Sequence, residues 1–130
     1  MDKTYLTLLT ELARATELTA EQVMDLDKKN SDLQGYKTAK TMRDDYAALY
    51  DKMRVDNFDS TTLTKTDYCR LMVGAIIVAE QLEKKIADEQ KVLKGYKDFT
   101  IPKLDQIINC KTDEDASKLA EELFQTIDEN

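Results

Sequence analysis

Tyr36, Lys40, Arg43, Ala47, Tyr50 and Arg54 follow one another at alternating spacings of four and three residues. On a helix that spacing gathers them on one face. Guanidinium and ammonium groups there suit a phosphate-bearing or acidic partner, and the tyrosines add flat contact area. Tyr36, Lys40, Arg43, Tyr50 and Arg54 are therefore the candidate interaction face. The plainer reading is a helix whose tyrosines flank the core and whose bases form local pairs, such as Lys40 with Asp44.

Other chemistry finds less support. The chain has no histidine, so acid–base catalysis would fall to Asp, Glu, Lys or Tyr with displaced pKa values. Cys69 lies near an expected helix start, where the dipole can favour a thiolate, but no basic partner accompanies it. Cys69 and Cys110 form no CxxC pair and read as reduced core residues. They are too few and too distant for structural zinc. Asp25-x-Asp27 begins like a calcium loop, yet Lys29 replaces an oxygen ligand and no glycine follows at the turn. The glycines, Gly35, Gly74 and Gly95, lie too far apart to cradle a phosphate. The sequence thus predicts no catalytic residue, no cofactor and no metal. Glu89 reads as a paired glutamate that sets helix register.

Composition bounds the rest. A chain of 130 residues with 42% hydrophobic and 35% charged side chains suits one globular domain, here taken as residues 1–130. Three glycines and one proline are too few for a turn-rich β protein. The net charge of −7 is concentrated in residues 98–130, which hold nine carboxylates and three lysines. That balance argues against direct nucleic-acid or anionic-membrane binding. It also offers a second mode, in which the acidic last helix occupies a basic site on another protein. No apolar run approaches the ~20 residues of a membrane span and no signal peptide is evident, so a cytoplasmic protein is expected.

The elements that must position these residues follow from periodicity and capping. Tyr5, Leu8, Leu9, Leu12 and Ala15 give a first helix over about 4–16. Thr19 with Gln22 forms a capping box that starts a second helix at Ala20. Val23, Leu26 and Leu33 continue its buried face, and 27–32 is polar, as in a kink, a break or an exposed stretch. Ala39, Met42, Tyr46, Leu49 and Met53 resume the stripe. After a turn-rich link over 55–63, Thr64 and Asp67 cap a further helix. Its stripe is Tyr68, Met72, Ala75, Ala79, Leu82, Ile86, Glu89, Leu93 and Tyr96. Gly74, beside Ala75 and Ala79, predicts close approach of a neighbouring helix, and Gly95 marks the end. Pro102 suits the first turn of a helix over 101–109. Thr112 or Asp113 starts the last, with Ala116, Leu119, Ala120, Leu123, Phe124 and Ile127 as its stripe. Ala20-Glu21-Gln22-Val23 and Ala79-Glu80-Gln81-Leu82, each followed by a Leu-x-Gly-Tyr-Lys run, raise the question of a duplicated hairpin.

The fold expected is all-α: a bundle on a long antiparallel hairpin of helices over about 20–54 and 65–96, with a short N-terminal helix and two shorter C-terminal ones. A straight 65–96 helix would be about 48 Å long, more than a domain with a radius of gyration of ~14 Å accommodates. A homodimer is therefore weighed evenly against a monomer. The function expected is a small non-enzymatic interaction module, an adaptor or inhibitor that binds a larger protein through a helical face. A structural subunit of a virion or secretion assembly is the alternative, and the Trp-free, Lys/Asp/Thr-rich composition suggests a phage or bacterial open reading frame.

Overall fold

The computed structural model describes residues 3–83 and 90–127, the side chains of Gln90 and Lys91 excepted. The chain is all-α. In order come α1 (Tyr5–Lys29), α2 (Leu33–Met53), a 3-10 turn (Ser60–Thr62), α3 (Lys65–Glu83) and α4 (Gln90–Gly95). A π-helical turn (Tyr96–Thr100), α5 (Ile101–Ile108) and α6 (Asp113–Phe124) complete it.

The first helix does not stop at Thr16. Thr4 caps α1 by accepting from the Thr7 N–H at 3.3 Å. Helix then runs through Thr19, whose hydroxyl donates to the Ala15 carbonyl at 3.0 Å instead of capping a new start. Thr16, Glu17 and Ala20 are buried across the expected boundary. Tertiary burial there outweighs a local capping signal. The break falls at Asn30-Ser31-Asp32, where Ser31 takes φ 59° and the Asp32 carboxylate accepts from the Gly35 N–H at 2.9 Å to start α2.

This shift re-pairs the bundle. The long hairpin is α1 against α2, over 5–29 and 33–53, and not 20–54 against 65–96. Nor is 65–96 one straight helix. Lys97 Nζ lies 2.9 Å from Glu83 Oε1, whereas a straight helix would separate the two residues by about 21 Å. The chain has turned back, so Leu93 packs with Ala79 and Leu82, partners a straight arm would have denied it. The excess length behind the dimer expectation disappears with it. Ile86 and Glu89, read as stripe positions, lie outside the described residues.

Gly95 is the last residue of α4, as expected, but it does not stop the helical path. Its φ −57° and ψ −42° carry the helical path into the π turn and on to α5, with Pro102 in the first turn. The π turn serves the core: the Tyr5 hydroxyl donates to the Thr100 carbonyl at 2.9 Å, and the Tyr5 and Phe99 rings meet edge to face at 5.8 Å. Thr112 caps α6 by accepting from the Asp115 N–H at 3.1 Å, as its sequence implies. Ile127 leaves the apolar stripe, because the helix ends at Phe124 and residue 127 instead bridges Thr4.

One continuous core joins α1, α2, α3, α5 and α6 through Tyr5, Leu9, Leu12, Tyr46, Leu71, Leu104, Ile107 and Phe124. Gly74 makes the close approach expected of it, chiefly to α1. A Cβ there would stand 2.7 Å from Thr16 Oγ1 and 3.4 Å from Tyr46 Cε1. The α3 start is held by the expected reciprocal cap, with Thr64 Oγ1 accepting from Asp67 N and Asp67 Oδ2 from Thr64 N. Asp67 is buried and takes Lys52 at 3.0 Å and Arg70 at 3.4 Å.

Candidate interaction surfaces

Because α2 is unbroken from Leu33 to Met53, Tyr36, Lys40, Arg43 and Tyr50 do share one side of it, with Arg54 at its C-cap. Two of the bases there, Arg43 and Arg54, meet carboxylates close at hand, and the expected pair of Lys40 with Asp44 does not form. Arg43 pairs with Asp44 at 2.9 Å and Arg54 with Asp51 at 2.9 Å. The hydrogen bond to Asp44 holds the Arg43 guanidinium above its ordinary pKa. Tyr50 lies between two guanidinium groups, those of Arg54 and of Arg14 from α1, each 5.8 Å from the ring centre. Arg14 is in turn bound to Glu17 at 2.7 Å, and that bond raises its pKa. Leu6, Thr10 and Glu11 of α1 close a shallow recess of about 400 Å³ beside Tyr50 and Arg54. Only the α1–α2 pairing brings Arg14 and Glu11 here, so periodicity within α2 gave no sign of them. Cation–π contacts of this exposed kind contribute on the order of 0.5–1 kcal/mol.

A second surface arises from residues assigned to the core by sequence. Val23, Leu26 and Leu33 stand 42%, 56% and 64% exposed. Their expected cover, the second arm of a 20–54/65–96 hairpin, does not exist in that form. On α3, Val73 and Ile76 are 50% and 44% exposed, and Cys69 is exposed too. Cys69 therefore lies outside the core where burial statistics placed it, while Cys110 is partly buried, and both are free thiols.

Between α2 and α3 runs a groove floored by α1. Its section toward the hairpin turn, about 470 Å³, is lined by Ala20 and Val23 of α1, Ala39 and Met42 of α2, and Ile77 and Gln81 of α3. The other section, about 380 Å³, shares Thr38 and Met42 with the first and continues along Thr41 and Asp45 to Thr66, Cys69, Arg70 and Val73. Tyr46 spans its floor, donating to the Arg70 carbonyl at 2.6 Å. Burial raises the Tyr46 phenol pKa, and the nearby Arg70 charge partly offsets this. The sequence signal for the groove was present: an apolar run, Leu71 to Ala79, too broad for one helix to bury on a single side.

Among the described residues no group of three or more His, Cys, Asp or Glu side chains is arranged to hold a metal ion. No described helix is long and apolar enough to cross a membrane. Comparison with protein-family models, with characterised proteins and with solved structures gives no match to this chain.

Proposed function

We propose that this chain is a small non-enzymatic interaction module, an adaptor or inhibitor that binds a larger protein through a helical surface. One observation carries the reading. Val23 and Val73, both about half exposed, border the same groove, with Ile76 on the adjoining flank of α3. Single exposed aliphatic residues are ordinary, but several from two helices around one concave surface are the pattern of a docking site. The tyrosine–arginine face on the opposite flank of α2 is a further contact region, weakened as an anion site because Arg14, Arg43 and Arg54 already face carboxylates.

Affinity capture from the source cells, followed by mass spectrometry, tests the reading with two variants. Loss of a captured protein on Val73→Asp supports docking at the groove. Loss on combined Arg43→Glu and Arg54→Glu supports the sequence-derived face. Failure to retain any protein, or retention indifferent to both variants, refutes the proposal. Sedimentation of the pure chain into large homogeneous particles would instead assign it to a structural assembly.

A further inference from the structure

We infer that the α2–α3 groove receives one amphipathic helix of a partner protein, its apolar side inward and its flanks cationic. This rests on the interaction-module reading and specifies the partner's chemistry. The length fits first. The lining on α3 extends from Thr66 to Gln81, which at 1.5 Å per residue is about 22 Å, or four turns of an inserted helix. The floor has small residues, Ala20 and Ala39, between the larger Val23, Met42 and Ile77. Such relief admits side chains spaced i, i+3, i+4 and i+7.

The walls exclude an extended occupant. Both are α-helices, whose interior backbone groups are already paired, so no sheet edge is offered. An inserted strand would bury N–H and C=O groups without partners, whereas a helix satisfies its own. The threonine hydroxyls on the α2 rim are also spoken for: Thr38 donates to the Gln34 carbonyl at 3.0 Å and Thr41 to the Lys37 carbonyl at 3.1 Å. They do not demand polar groups from the occupant.

Charge selects the flanks. The ionised side chains lining the two sections are Asp27, Asp45 and Arg70. Arg70 is held toward Asp67 at 3.4 Å, a carboxylate it shares with Lys52, and the two aspartates outnumber it along the lining. Asp27 is reinforced instead: a Cβ on Gly35 would stand 2.6 Å from both its Oδ2 and that of Asp32, so two carboxylates converge at the hairpin end of the groove. The rim is therefore acidic at α2 and at the turn, and complements Lys or Arg beside the inserted stripe. A second copy of this chain is a poorer occupant, since it would bring a net charge of −7 against −7.

A display library of 15-residue helices, with apolar residues fixed at i, i+3, i+4, i+7 and i+11 and all flanks randomised, tests the inference directly. Binding of each selected peptide is read by an environment-sensitive dye on Cys69, at the groove rim, in a Cys110→Ser background. The expected selection is enriched in Lys and Arg on the flanks. Its affinity should fall at least about ten-fold on Val73→Asp and on combined Asp27→Lys and Asp45→Lys, and should weaken with added salt. The half-exposed Val73 makes the first variant a surface change, and an unaltered melting temperature verifies that it folds. Enrichment of acidic flanks, no enrichment at all, or binding indifferent to these variants overturns the inference. So does reversible dimerisation that Val73→Asp abolishes, which would make a second copy the occupant. A captured cellular partner that survives Val73→Asp but is lost on Arg43→Glu with Arg54→Glu sinks the groove and leaves the module reading intact.

Discussion

Substituting alanine for Gly74 isolates the α1–α3 contact that holds the bundle together. In an exposed helix interior this change stabilises by about 1 kcal/mol, because alanine has less backbone freedom to lose. Here the added methyl would stand 2.7 Å from Thr16 Oγ1, well inside van der Waals distance, and 3.4 Å from Tyr46 Cε1. Thr16 cannot readily withdraw: it is fully buried and its hydroxyl donates to the Leu12 carbonyl at 2.8 Å. Overpacking of this kind costs about 1–3 kcal/mol, so the net effect of Gly74→Ala is a loss of up to about 2 kcal/mol. With an unfolding entropy of about 2.1 cal/mol/K per residue, that loss lowers the melting temperature by up to roughly 7 °C. The decisive measurement is a double-mutant cycle by thermal and urea unfolding. In a Thr16→Ala background the obstructing oxygen is gone, and Gly74→Ala should then raise stability by about 1 kcal/mol. The change of sign is the signature. If Gly74→Ala stabilises the wild-type chain as much as the Thr16→Ala chain, the helices do not approach this closely at Gly74 and the reasoning is wrong.

The tyrosine hydroxyls should separate in the same assay. Tyr5→Phe removes a buried hydrogen bond to the Thr100 carbonyl and should cost about 0.5–1.5 kcal/mol. Tyr68→Phe should be neutral or slightly stabilising, because its hydroxyl is buried without a hydrogen-bond partner among the described residues. Alkaline titration gives a further check. Burial raises the phenol pKa of Tyr5, Tyr46, Tyr68 and Tyr96. Above pH ~10 the unfolded chain releases tyrosine protons that the folded chain retains, so stability should be intact below that pH and decline above it. Urea midpoints measured from pH 8 to 11 should fall only at the upper end, with tyrosinate absorbance rising together with unfolding; a phenolate signal from all six tyrosines in a still-folded chain would contradict this.

Much of the architecture was legible because its signals were local. The Thr64/Asp67 and Thr112 caps and the Pro102 start act within one helical turn, and each stands where the sequence put it. The Thr19/Gln22 box looks the same in sequence and does not cap. A threonine inside a helix can return its hydroxyl to the i−4 carbonyl, and only the burial of Thr16, Glu17 and Ala20 decides between the two states. That one boundary decides which helices form the hairpin. Tyr36 to Arg54 could be read as one face because α2 is unbroken, whereas the approach of Arg14 to Tyr50 depends on which helix lies alongside. The groove was hidden for a related reason. Val23, Leu26, Leu33 and Val73 have the residue types of a core, and periodicity cannot distinguish an apolar side chain covered by its own chain from one left open.

The seam between the two ends of the described chain bears on how the protein is made. Tyr5 donates its backbone N–H to the Thr126 carbonyl at 2.8 Å, and Thr4 bridges Ile127. The α1–α2 hairpin uses neighbouring sequence and can assemble early, since local contacts close at low entropic cost. Helix α1, however, also needs the Thr100 carbonyl, 95 positions downstream of Tyr5, and then residue 126. During synthesis from the N-terminus the part of α1 that α2 does not cover stays open until nearly the whole described chain has left the ribosome. Of the described helices α1 is thus made first and completed last, and in that interval its uncovered side is open to aggregation and to chaperones.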